Sequence, residues 1–511
     1  MAEADWKQMN EDPRPTLQAV ADAARSYRQG QLSRRRFLQL CAAAGLGMGG
    51  LLTACRREAP VLSGKAIAAT VGPQSAVTSG SDQKAFLRDV GRSMQGTTLH
   101  VVSEDTPPCK VIRGLMLQEF EPLTGIHVEW ELHSLGEVLS RVTTDVAQGS
   151  GHYDIYYCDH SWLGLLHGEA ADPHELLGRA DLAYPDYRFD DILAPLVEHT
   201  ASYRKQLVGI PFDIPILIMM YRKDVLHEFG LKPPRTLADY LTAIRTIHRA
   251  KAPALYGTTG QWKSGHYALE CEMTAWLWAH GGSLFGADKQ PTLGDERAEA
   301  ALAYMLELGN YMPKAVSRWD WQGQAQSFRQ GLAGLYLGWS EYFPSFDDPK
   351  LSKIVGLAEA AAPPRELSLR QPDQCGFDEA PGISHQGGSC MMLSRRSRHV
   401  DAAWIFLQWA TSADVTARAS LLGGGATPTR RSSFDDPRIR QLGDGLTNPL
   451  RHFPVTLDAI EHRMGTEPHF ANWPQLSLEL AVELGRMTTG QQTLRQTLQG
   501  MDVAARRAVK V

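Results

Sequence analysis

Apolar and polar positions alternate between two periods along the first part of the folded body. "TLHVVS" (Thr98–Ser103) is a short apolar run of strand length. From Val111 to Glu121, Leu115, Met116 and Phe120 recur at helical spacing, and Gly125 closes that segment. "IHVEWEL" alternates with period two. Leu135, Val138, Leu139, Val142 and Val146 then form a helical stripe, and "YDIYYC" is the next strand. Strand, helix, strand, helix, strand within about sixty residues predicts a parallel sheet covered by helices. A second block of the same kind opens after Asp213. "ILIMMY" and "GLAGLYLG" read as buried strands. "PPRTLADY" starts a helix that Thr236 can cap, with Asp239 three residues on. Further helices are predicted over Ala268–His280, Glu296–Tyr311, Val400–Thr411 and most of the last forty or so residues.

The N-terminal region follows neither pattern. Phe37 to Ala54 contains no charged residue, but its glycines and alanines make it a poor membrane span. It sits behind Ser33-Arg34-Arg35-Arg36-Phe37-Leu38, which resembles a twin-arginine export signal. Leu52-Thr53-Ala54-Cys55 resembles a bacterial lipobox. Together they predict a lipoprotein signal over residues 1–54, acylation at Cys55, and a membrane-anchored protein on the periplasmic side of the envelope. An uncleaved signal anchor is the alternative. Residues 55–95, rich in Ala, Ser, Gly and Pro, read as a flexible tether, with a short helix open for Lys84–Gln95.

Charge and cysteines narrow the function. The chain of 511 residues carries a net charge of −5, and loss of residues 1–54 makes it more acidic, which argues against a nucleic-acid partner. The length points to two domains. Beyond Cys41 and Cys55, the cysteines are Cys109, Cys158, Cys271, Cys375 and Cys390. Their number is odd, their spacings are long and there is no C-x-x-C, so neither a disulfide scaffold nor a metal motif is indicated. One disulfide outside the cytoplasm stays open, without a pairing. His266, His280, His385, His462 and His469 are scattered without ligand spacing. Neither a cofactor nor a metal is expected.

A series of ordered segments now carries a family resemblance: "EFEPLTGIHVEWE", "VTTDVAQGSGHYDIYYCD", "VGIPFDIPILIMMYRKDVL", "GLKPPRTLADYLTA", "WLWAHGGSLF", "AGLYLGWSEY" and "GGSCMMLSRRSRHVDAAWIFLQWATS". Over roughly residues 96–511, the chain resembles the extracellular solute-binding proteins of ABC importers, in particular the sugar-binding family that includes maltose-binding protein. The resemblance implies a type II periplasmic-binding-protein-like α/β fold: two discontinuous lobes joined by crossing strands, with ligand held in the cleft between them. The crossings would fall near Phe212–Ile216 and Gly387–Met391. The first lobe would be 96–213 plus 389–435, and the second 214–388 plus 436–511. It further implies a monomer that binds a sugar or polyol, closes, and delivers it to permease subunits without making or breaking a bond.

Strand ends nominate the ligand site independently, because ligands of parallel α/β sheets sit off the carboxyl ends of the strands. Glu104 and Asp105 follow the first strand; Asp159 and Trp162 follow the third. Asp213 lies in the first crossing, Trp339 and Glu341 follow a strand of the second lobe, and Gly387 and Gly388 precede the return crossing. Carboxylates accept hydrogen bonds from hydroxyls, and indole faces cover the C–H patches of a sugar. Phe212, Tyr267, Trp278 and Trp473 are weaker candidates. Each acid also has a plain reading as a helix cap or turn former, and each Trp as core. Three competitors remain at this stage. One is a glycoside-processing enzyme built on paired carboxylates. Another is an anion receptor using Arg430 and Arg431, and the third is a receptor for a cation.

Overall fold

The computed structural model describes residues 80–366, 382–423, 425–442 and 448–509. The expected signal, Cys55, most of the tether and Cys375 lie outside the described residues.

The first sheet is built as the apolar runs predict. β1 (Thr98–Glu104) pairs in parallel with β2 (His127–His133), Thr98 opposite His127 and Glu104 opposite His133, and with β3 (Ile155–Asp159) on its other side. The intervening helix starts earlier than its apolar stripe suggests, at Pro107. Thr106 accepts a hydrogen bond from the Cys109 amide at 3.4 Å, and two prolines occupy positions where no donor is needed. It continues through a π-helical turn at Met116–Phe120 and stops at Gly125, whose φ of 70° suits glycine. The tether reading needs a correction at its end. Ser81–Met94 is a helix with Leu87 fully buried in the first core, because an apolar stripe on one side gives this segment something to bury.

The second sheet has the order Ala358–Ala361, Leu217–Arg222, Ala333–Trp339, Tyr256–Thr259. Leu217 lies opposite Trp339 in an antiparallel pair, and Tyr256 opposite Ala333 in a parallel one. The helix Leu237–Lys251 is capped by Thr236, which accepts from the Asp239 amide at 3.0 Å. The helix Tyr267–Ala279 is buried on nearly every side, and Trp473–Thr488 and Leu494–Val509 complete this core. No helix among the described residues is long and apolar enough to cross a membrane.

The chain passes between the sheets at two hydrogen-bonded crossings. It leaves the first sheet at Ile210–Pro211, which pairs with Ser389–Leu393, and enters the second at Leu217. Ser389–Leu393 returns to the first sheet beside β3, with Asp159 opposite Ser389. Between them, Ser389 N donates to Asp213 O at 2.8 Å, and Gly387 N to Pro215 O at 2.9 Å. Two hydrophobic clusters result, one around each sheet, so the fold is the two-lobed type II arrangement. Leu193, Leu196, Ala417 and Phe434 pack with the second cluster although their sequence segments read as first lobe. Cys109, Cys158, Cys271 and Cys390 are buried free thiols; Cys158 and Cys390 face each other across paired strands.

Candidate functional site

Strand topology brings four of the nominated carboxylates to one place. Glu104 ends β1 and Asp159 ends β3. Asp213 occupies the first crossing, and Glu341 follows Trp339 at the carboxyl end of a second-lobe strand, where Ser340 N donates to Ile216 O at 2.9 Å. The Thr106 hydroxyl donates to Asp213 Oδ2 at 2.7 Å, tying the loop after β1 to the crossing. Asp159 accepts from the Ser161 amide at 2.9 Å, so it is indeed a helix cap as well. Its neighbour His160 donates its amide to Gly388 O at 3.0 Å.

Burial raises every one of these acids, and for Glu104, Asp159 and Glu341 nearby carboxylates add to it. Burial lifts Asp159 to about 7, with the charges of Glu467 and Asp213 adding to it against the Ser161 hydrogen bonds. Burial lifts Asp213 to about 6, and the Thr106 hydroxyl limits the rise. Burial pushes Glu104 well up, helped by Asp213, Asp159 and Asp105. Glu341 is pushed up by burial, then by Asp213 and Glu104. Asp213 is 2% exposed and Glu341 6%. Among the described residues, Asp213 Oδ1 and Glu341 Oε2 have no hydrogen-bond partner, and none of the four acids is in an ion pair. Buried acceptors without donors cost free energy until something donates to them.

Not every nominated residue joins this cluster. Asp105 forms a surface ion pair with Lys110 at 3.0 Å. Trp162 is 3% exposed and packs within the first core beside Leu163 and Leu166. Trp339 stands at the crossing but is packed on several sides. Its Nε1 donates to Gln261 Oε1 at 3.1 Å, its ring meets His385 edge-on at 5.6 Å, and a Cβ on Gly387 would lie 2.9 Å from the ring. Gly387 is thus a close backbone approach to that indole. A Cβ on Gly388 would lie 2.8 Å from Thr200 Cγ2. Trp339→Ala is therefore expected to cost about 3–5 kcal/mol of stability through the cavity it leaves. Urea titration measures this; an unchanged midpoint would show that the indole is not a packing element.

Of the weaker candidates, Phe212 packs beside Trp130 in the first core. Tyr267, Trp278 and Trp473 surround a second polar group that strand ends did not nominate. Glu467 accepts from Trp473 Nε1 at 2.8 Å and from the Tyr267 hydroxyl at 2.5 Å, and it meets His385 Nε2 at 2.8 Å. Tyr267 also reaches His160 Nε2 at 3.4 Å, and Trp278 lies 5.1 Å from the His385 ring. Gln261 follows the short strand "YGTT", whose Gly and Thr give no apolar signal. Arg430 and Arg431 are engaged within the protein, although Arg430 Nη2 is buried without a partner among the described residues. Arg430 is fully buried and donates to the Tyr187, Arg188 and Thr411 carbonyls at 2.6–2.8 Å; Arg431 pairs with Glu461. A surface depression of about 710 Å³ elsewhere is lined by Phe189, Glu198, Arg204 and Lys205 among others, but by none of the four carboxylates.

Comparison with known proteins gives a consistent result. A family model described as bacterial extracellular solute-binding protein matches residues 110–417. The chain is 25% identical over 333 residues to a Sinorhizobium fredii protein named probable amino-acid ABC transporter periplasmic-binding protein y4oP, covering 63% of this chain and 70% of that one. It is 23% identical over 441 residues to the erythritol/L-threitol-binding protein of Mycolicibacterium smegmatis, covering 81% and 84%. Among solved structures, an ABC transporter solute-binding protein from Agrobacterium radiobacter K84 in complex with ribitol superposes with a TM-score of 0.72 at 23% identity, over 81% of this chain and 99% of that chain.

Proposed function

The chain belongs to the bacterial extracellular solute-binding protein family, and from that premise we propose that it captures a small hydroxyl-rich solute, a sugar or polyol, between its lobes. It is the substrate-binding subunit of an ABC importer. The observation that carries the ligand class is the convergence of Glu104, Asp159, Asp213 and Glu341 from both lobes onto the crossing, with two buried oxygens unpartnered. Hydroxyls of a polyol would donate to these oxygens. The names of the erythritol/L-threitol-binding relative and of the ribitol complex support the same class. The first lobe comprises 81–213 with 389–435 and the second 214–388 with 436–511, the side chains of Leu193, Leu196, Ala417 and Phe434 excepted. Closure occurs by hinge rotation at the two crossings, because only the closed form lets the ligand touch both lobes. The subunit itself makes and breaks no bond and acts as a monomer. It is exported by the twin-arginine route and held at the membrane by lipid on Cys55.

A thermal-shift screen of the mature protein against neutral sugars and polyols tests the reading. At a hundred times Kd, a true ligand adds about 2.7 kcal/mol of stability. No shift across tetritols, pentitols, hexitols and short oligosaccharides would overturn it. One observation favours a second reading: the four acids have no cationic partner among the described residues. An amine-bearing solute, such as an amino sugar or amino alcohol, would supply one. Pairing each polyol with its amino analogue in the same screen separates the two readings.

A further inference from the structure

We propose that this protein also carries a buried structural site for a zinc-type divalent cation, formed by Cys271, His385 and Glu467, behind the ligand cleft. The donors come from three segments that the fold brings together. Ser384–His385 pairs in parallel with Met464–Gly465, His385 opposite Gly465, which sets His385 beside the loop bearing Glu467. The buried helix Tyr267–Ala279 lies over this pair and supplies Cys271. One ligating atom from each of Cys271, His385 and Glu467 lies within 4.8 Å of the other two, and all three side chains are buried. Tetrahedral zinc with sulfur and nitrogen bonds of about 2.0–2.3 Å spaces its ligands about 3.5 Å apart, so filling the site needs a contraction of about 1 Å.

The donor chemistry fits. Thiolate, imidazole and carboxylate are a zinc set rather than a calcium or magnesium set. Glu270 precedes Cys271 and is fully buried. Its Oε1 accepts from Thr274 at 2.6 Å, and its carboxyl, held protonated by burial, shares a hydrogen bond with Glu467, so it supports that ligand from outside. His385 Nδ1 is buried without a partner among the described residues. The surroundings hold the ligands in place, as outer partners of metal sites do. Trp473 and Tyr267 donate to Glu467 Oε2, and the His385 ring packs between Trp278 and Trp339. A cation here would fix the return crossing, His385 lying three residues before Gly388, to a helix and the C-terminal segment of the second lobe. This assignment does not depend on which solute the cleft takes.

The competing description is an ion pair only, between His385 and Glu467 at 2.8 Å. Titrating chelator-treated, untagged full-length protein with Co²⁺ alone distinguishes them. One Co²⁺ per chain, with tetrahedral visible absorption and a thiolate-to-cobalt charge-transfer band that Zn²⁺ abolishes, is expected. Cys271→Ser should remove the charge-transfer band, and Glu467→Gln should keep it while weakening Co²⁺ at least tenfold. Both variants are checked for wild-type circular dichroism. Should Cys271→Ser fail to fold, the Glu467→Gln titration and the wild-type thermal shift with Zn²⁺ still decide. Absence of the band in wild-type protein overturns the proposal, as does a band that survives Cys271→Ser or a Co²⁺ affinity unmoved by Glu467→Gln.

Discussion

Gly164→Ala should yield a folded protein that binds its solute about 10- to 100-fold more weakly because it no longer closes fully. Gly164 sits in a one-turn helix of the first lobe, Leu163–Leu166. A Cβ there would lie 1.9 Å from the carbonyl oxygen of His469 and 2.7 Å from Phe470 C. Both atoms belong to the backbone of the segment leading into the second lobe's helix Trp473–Thr488, so no rotamer change relieves the clash. Within the first lobe itself, the substitution is benign, since alanine favours a helix over glycine by roughly 0.5–1 kcal/mol. The added methyl thus acts on the contact between the lobes, which the proposed closure would tighten, and leaves the first lobe's own packing intact. Overpacking at such a contact costs about 1–3 kcal/mol, which sets the fold-change above. Calorimetry gives the affinity. Small-angle scattering gives the shape: wild-type protein should contract on adding ligand and the variant should not. A variant that contracts and binds as wild type would show that this contact is no part of closure. Gly425 makes a comparable approach to the Glu341 carbonyl, but its φ of 63° requires glycine within its own loop. A substitution there would mix closure with local strain.

How much of this was legible depends on how far apart in sequence the cooperating residues lie. β1 and β3 are readable as apolar runs and β2 by its alternating faces, and each is followed by its own helix. The carboxylates at their ends were readable for the same reason, since a parallel strand's carboxyl end is a fixed address. The crossings at Asp213 and Gly387 came from the family resemblance; local pattern alone does not mark a hinge. His385 and Glu467 were not readable as partners, being 82 residues apart, and their pairing depends on two-residue strands too short to show a period. Gln261 was missed because Tyr256–Thr259 lacks an apolar run. Trp162 and Trp339 show the limit of composition. An indole at a strand end is equally a platform or a core element, and here both are almost wholly buried. Arg430 looked free to hold an anion, but its guanidinium closes three backbone carbonyls that no sequence pattern places beside it.

Raising the pH from 6.5 to 8.5 should open and destabilise the ligand-free protein. In this structure, with the lobes in contact, burial lifts Asp159 to about 7 and Asp213 to about 6 and pushes Glu104 and Glu341 up as well. In the open or unfolded chain, such groups return toward about 4. Between those values the closed form holds protons that the other forms release, so its advantage is full below about pH 4 and is lost as pH rises through 6 to 7. Each retained proton is worth about 1.4 kcal/mol per pH unit across the interval. The histidines facing this region work in the opposite direction. Burial lowers His160 well below its ordinary value and His469 to about 4, so they stabilise the closed form above pH 6.5 and cease to do so as the pH falls. Above 6.5 they are neutral in every form and the carboxylates act alone, which makes that window the clean one. Scattering should show a larger radius of gyration at pH 8.5 than at 6.5, and thermal melts a lower midpoint. Asp159→Asn, which keeps an acceptor for the Ser161 amide, should flatten both profiles; profiles that stay flat in the wild type would deny that these acids meet between the lobes. The same experiment reads the ligand's charge. A neutral polyol binds the closed, proton-rich form and weakens with rising pH, whereas an amine neutralises the released carboxylates and tightens until it loses its own proton.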